Sequence, residues 1–114
     1  MTLRAFAAVL LSIFLISSVS YASQADKAYN AAKQDYSRLG NSAKMMRYRH
    51  NWIKVIDRYE QFAKRYSKDS RVDDSLYTIG ELYTGLYKQS KINQDINAAI
   101  ETYLTLVKKF PKSR

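Results

Sequence analysis

The sequence predicts an all-α protein: about four helices stacked as right-handed helical hairpins behind a short apolar leader. Three observations predict it. The 114 residues contain only three glycines and one proline, and long stretches free of both favour helices. Apolar residues recur at steps of three and four over most of the chain, the signature of amphipathic helices. No segment alternates polar and apolar residues with period two over a useful length, so no strand is expected.

The leader comes first. Residues 1–4 carry one positive charge, Arg4, and residues 5–19 are an apolar run with three serines. Ser20-Tyr21-Ala22 then places small residues at the two positions a signal peptidase reads. The apolar run, at about 15 residues, falls short of the roughly 20 that span a bilayer. The domain reading is therefore a signal peptide over 1–22, cleaved after Ala22, and a helical domain over 23–114. Ser23-Gln24-Ala25 is a second possible site, and an uncleaved anchor is the alternative. Cleavage predicts a periplasmic or secreted product with no stable membrane span.

The first helix of the domain is expected over about Gln24 to Arg38, with Ala28, Ala31, Ala32 and Tyr36 toward one side. Leu39-Gly40-Asn41-Ser42 ends it, since Gly suits a helix C-terminus and Asn or Ser can start the next helix. The second helix starts somewhere from Lys44 to Asn51. It carries the widest apolar stripe: Trp52, Val55, Ile56, Tyr59, Phe62, Ala63 and Tyr66, among charged neighbours. The third begins after Ser70, which with Asp73 resembles a capping box. Asp73 and Asp74 also put negative charge on the positive end of the helix. Its stripe is Val72, Leu76, Ile79, Tyr83 and Leu86 or Tyr87. The fourth starts near Asn93 with Ile96, Ala99, Ile100, Tyr103, Val107 and Phe110 on its apolar side, and Pro111 stops it.

The second and fourth helices are copies of one pattern. The stretch from Tyr59 to Lys68 aligns with Tyr103 to Lys112: Tyr faces Tyr, a basic pair faces a basic pair, and Tyr66 faces Phe110. Ile56 matches Ile100 upstream. Such self-similarity points to stacked helical repeats. In the second half of the chain, Leu76, Ile79, Gly80 and Tyr83, then Ala99, Tyr103, Leu106 and Pro111, resemble one tetratricopeptide repeat. The small Gly80 and Ala99 mark where paired helices approach closely, and the large residues fill around them. Lys88 to Ile96 makes the link about seven residues longer than the family pattern. Tyr29, Ala32 and Tyr36 with Val55, Tyr59 and Phe62 form a weaker earlier match, in which Ser67 replaces the proline.

A narrower resemblance rests on Arg47-Tyr48-Arg49-His50-Asn51-Trp52, on Val72 to Tyr77, and on the closing Phe110-Pro111-Lys112-Ser113-Arg114. These look like the helical N-terminal region of certain bacterial N-acetylmuramoyl-L-alanine amidases. In that family a signal peptide and tetratricopeptide-like helices precede a zinc-dependent catalytic domain. The resemblance implies a chain without the enzyme part, ending where a further repeat is expected.

Composition narrows the chemistry. There is no cysteine, which excludes disulfides, thiolate zinc sites and a Cys nucleophile. The only histidine, His50, has no nucleophile or orienting acid in a recognisable motif. Asp73 and Asp74 suit helix capping better than paired acid–base work, because adjacent helical residues point about 100° apart. No cofactor or metal site and no enzyme activity are expected.

Arg4 is the leader's only charged residue, so of 19 basic side chains the remainder keeps 18 against 10 acidic ones, a net +8. That charge favours anionic surfaces, namely nucleic acid, phospholipid headgroups or anionic cell-wall polymers; export makes nucleic acid an unsuitable partner. Arg47, Arg49, Lys54, Arg58, Lys64, Arg65, Lys68 and Arg71 form either a binding stripe or a solvated face. Most tyrosines are expected in the core, while Tyr77 and Tyr87, off the stripe centre, are candidates to line a groove. The possible contact set is thus Tyr77, Tyr87, Arg47, Arg49 and Trp52. The functional expectation is a non-catalytic exported module holding a protein or peptide partner in the cell envelope. Its alternatives are an accessory or targeting region of a peptidoglycan amidase, and a scaffold resembling outer-membrane assembly or Tol-associated repeat proteins.

Overall fold

A computed structural model describes the backbone of residues 3–113 and the side chains of residues 20–113. The side chains of residues 1–19, which carry the charged and apolar parts of the leader reading, lie outside the described residues, while Ser20, Tyr21 and Ala22 are described and exposed. Five helices follow in order: α1 Leu3–Gly40, α2 Ala43–Met46, α3 Arg49–Arg65, α4 Val72–Ser90 and α5 Asn93–Lys109. The described residues contain no strand. None of their helices is long and apolar enough to cross a membrane.

α1 begins well before Gln24 and runs unbroken through Ala22. Ala25, Ala32 and Leu39 are buried at intervals of seven, with Tyr29 between the first two. This narrow seam packs antiparallel on α3, Tyr29 tilting against Phe62 at 5.1 Å and Tyr36 edge-on to Tyr59 at 6.4 Å. α1 stops at Gly40 as the sequence predicts.

The short α2 is an addition to the expected helices. Ser42 caps it by accepting the Met45 backbone N–H at 3.1 Å. At its other end Asn51 donates to the Met45 carbonyl and Trp52 to the Met46 carbonyl, both at 2.9 Å. A single turn is too short to hold itself together; these bonds fasten it to α3.

α3 buries the predicted stripe: Trp52, Val55, Ile56, Tyr59 and Phe62 within the helix and Tyr66 just past it, with Ala63 half-buried. α4 packs antiparallel against α3 on one side and α5 on the other. Ser75, Gly80 and Leu82 are therefore buried along with Val72, Ile79 and Leu86, so the single predicted stripe covers only part of its core face. The predicted capping box at its start is not formed. Arg71 occupies the N-cap position without a side-chain cap bond, and Asp69, not Ser70, accepts the Arg71 backbone N–H at 2.9 Å.

The link between α4 and α5 is also shorter than the sequence suggests. The extra residues lengthen both helices, and the connection is Lys91 and Ile92 alone. Lys91 takes the left-handed conformation (φ 56°, ψ 19°) that usually falls to glycine, and its N–H bonds the Tyr87 carbonyl at 2.8 Å. Two glycines of α4 explain its close neighbours. A β-carbon on Gly80 would lie 2.6 Å from Tyr103 Cζ, and one on Gly85 would lie 2.7 Å from Trp52 Cζ3. Gly80 thus seats the Tyr103 ring of α5, and Gly85 seats Trp52 of α3.

The internal repeat is reproduced in backbone geometry. α3 and α5 each have 17 residues, and their starts, ends and caps are displaced by the same 44 positions. The caps Tyr66 (φ −113°, ψ 51°) and Phe110 (φ −131°, ψ 64°) bond the Phe62 and Leu106 carbonyls in the same way. Pro111 follows the second cap.

Candidate interaction surfaces

Of the eight predicted repeat-packing residues, Leu76, Ile79 and Tyr83 of α4 pack into the core shared with α1 and α3, and Gly80 of α4 meets Tyr103 of α5. Ile79, Gly80, Ala99 and Leu106 are buried, and Leu76, Tyr83 and Tyr103 are half-buried. Pro111 is exposed beyond the helix end. Ile100 and Val107, expected on the apolar side, are instead exposed at 51% and 66%, with Leu104 at 63%. Ile56, the counterpart of Ile100 in α3, is fully buried, because α3 is covered on two sides and α5 on one.

The proposed contact residues separate. Trp52 is a core residue, 8% exposed, with its indole N–H spent on Met46. Arg49 spans from α3 to the first turn of α5, where its guanidinium donates to both oxygens of Asp95, one bond at 2.7 Å. Asp95 is 1% exposed and also accepts from the Ser90 hydroxyl at 2.7 Å. Bonding to Arg49 holds its carboxyl below the ordinary range, against burial. Arg47 stays exposed; Tyr77, 49% exposed, leans on Tyr103 at 6.1 Å, and Tyr87 is half-buried under Lys91.

The basic stripe is broken up by pairing. Arg58 reaches Asp35 of α1 at 3.2 Å. Arg71 pairs with Asp26 and Asp69, each at 2.9 Å, while stacking over Tyr29 at 4.9 Å and Phe62 at 5.7 Å. Those carboxylates, bonding to Asp69 foremost, push the Arg71 guanidinium further up, and Asp69 is pushed down in return. Arg47, Lys54, Lys64, Arg65 and Lys68 make no ion pair among the described residues, and of these Arg47 and Lys54 line, with His50, an open groove of about 880 Å³ along the outer face of α3.

A second surface draws on no sequence signal. The Cα atoms of α3 and α5 nowhere come within 8 Å of one another. They stand as two parallel walls above α4, and two adjoining cavities of about 280 and 420 Å³ open between them. Leu76, Ile79 and Tyr83 of α4 form the floor. Glu60 and Glu101 face the first cavity; Lys64 and Lys109 face the second, and Glu60 stands at the boundary and lines both. Burial and then Asp57 push the Glu60 carboxyl up, opposed by a long bond from the Tyr83 hydroxyl at 3.5 Å. Sequence reasoning cannot assemble this channel, because its walls are not neighbours along the chain.

Among the described residues no three His, Cys, Asp or Glu side chains gather as metal ligands do. No protein-family model, curated protein or solved structure matches the chain.

Proposed function

We propose that the chain is a non-catalytic helical-repeat module of the tetratricopeptide kind, exported to the cell envelope, that holds a segment of another protein. The observation that carries this reading is the channel over α4: a floor of Leu76, Ile79 and Tyr83 between two helical walls that carry Glu60 and Glu101, then Lys64 and Lys109. That is the usual make-up of a site for a peptide segment. Two features support the repeat assignment. Gly80 and Ala99 sit where α4 and α5 approach closely, and α3 and α5 recur with the same bounds and caps.

The test fills the channel. Thr102 lines it from α5, so Thr102→Trp plugs it. The native chain is expected to retain a defined set of envelope proteins and Thr102→Trp to lose them, with helical circular dichroism unchanged. Equal retention by both, or none by either, overturns the reading.

The outer groove favours a second reading, an accessory region that keeps a peptidoglycan amidase on the anionic wall through Arg47, His50 and Lys54. Under it, the chain sediments with purified sacculi at low salt, and Arg47→Ala with Lys54→Ala releases it. Salt-independent sedimentation counts against it.

A further inference from the structure

The charges on the channel rims have a polarity, and resting on the channel reading they specify its occupant. We propose that the channel selects a peptide segment carrying a basic side chain over Glu60 and Glu101 and an acidic side chain over Lys64 and Lys109, with apolar residues between them on Leu76 and Ile79.

The argument starts from the helix ends. Lys64 and Lys109 stand in the last turns of α3 and α5, where the helix dipole favours cations whatever the ligand. Glu60 and Glu101 have no such reason to be where they are. Both lie mid-helix, away from any positive helix terminus, and neither forms an ion pair among the described residues. Glu60 sits beside Asp57 on one wall, and Glu101 stands across the floor on the other. Among the described residues the only side-chain bond to Glu60 is the long one from Tyr83. Two carboxylates without an ion pair among the described residues, lining one cavity over an apolar floor, favour a cationic side chain between them.

Because α3 and α5 run parallel, each wall presents acid first and base one or two turns later. The two pairs therefore reinforce a single gradient along the channel. A segment with the matching gradient gains at both ends; the reversed segment meets like charge at both.

The probe is a displayed library of random short peptides, panned on the native chain, on Thr102→Trp and on the double variant Glu60→Lys/Glu101→Lys. The native chain is expected to enrich a basic and an acidic residue flanking apolar ones. The double variant is expected to replace the basic residue by an acidic one, and Thr102→Trp to enrich nothing. In fluorescence anisotropy, a synthetic consensus peptide loses about tenfold in affinity when its basic residue becomes Ala, and the loss shrinks at high salt. An apolar consensus with no charge preference, or one unmoved by charge reversal, overturns the polarity while leaving the channel reading intact. No enrichment on the native chain, or enrichment that survives Thr102→Trp, overturns both.

Discussion

Asp95 is the only acidic residue among the buried set, and its surroundings make it a pH-dependent fastener. Enclosing a carboxylate is costly unless it is paired and hydrogen-bonded; here the Arg49 fork and the Ser90 hydroxyl supply the bonds. Its folded carboxyl titrates below the ordinary value, mainly because of Arg49. The contribution to stability is therefore complete above the unfolded value of about 3.9 and drains away as pH falls through the folded one. Asp95→Asn is expected to cost about 1–3 kcal/mol at neutral pH, the worth of a charged hydrogen-bond pair. Urea melts across a pH series should show that gap narrowing below about pH 4. A gap of constant size from neutral to acid would contradict the assignment. Arg49→Ala should be worse than Asp95→Ala, because it leaves the buried charge behind. Arg71 plays a comparable part at the other end of α3, joining the carboxylates of Asp26 and Asp69 while covering Tyr29 and Phe62. A lysine has neither the fork nor the flat face to do both.

Among the elements, α4 is decisive, because it is clasped on two sides. Gly80 leaves no room for a side chain beneath Tyr103. Gly80→Ala should destabilise the fold by about 1–3 kcal/mol through overpacking. Thermal melts should show much of the loss recovered in Gly80→Ala/Tyr103→Leu, the non-additivity expected of residues in contact. Additive losses would mean that the two do not meet. The same clasp explains what the sequence could and could not disclose. α3 was legible from Trp52 to Tyr66 because a strong apolar stripe with charged neighbours leaves one helical reading. α4 was half legible, since a helix covered on both sides buries Ser75, Gly80 and Leu82 outside any stripe. The turn after Ser90 was hidden because Lys91, not glycine, adopts the left-handed bend. α2 was hidden because its fastenings come from Asn51 and Trp52 on the next helix. The channel was invisible for a related reason. Glu60 and Glu101 read as ordinary solvated positions until two helices, separated in the chain by α4, are placed side by side.

At the scale of the whole molecule, α5 matches α3 in length and in its ends, but among the described residues it packs on one helix where α3 packs on helices to both sides. Ile100, Leu104 and Val107 stand in solvent as a result. An exposed apolar row of this kind is expected to drive self-association. Sedimentation velocity should show mass rising with concentration for the native chain, and Leu104→Glu should hold it at the monomer. A native chain that stays monomeric at high concentration would contradict this. The order of packing has a further consequence. Among the described residues helix backbones touch close to home along the chain: α1 and α2 with each other and, across the single turn of α2, with α3, then α3 with α4 and α4 with α5. The loops that must close to bring partners together are therefore short, and little entropy is spent before contacts form. Such a chain collapses quickly and in pieces, growing from whichever hairpin forms first. Pulled from its C-terminal end, it peels in the reverse order: α5 comes away first, and the rest still stands.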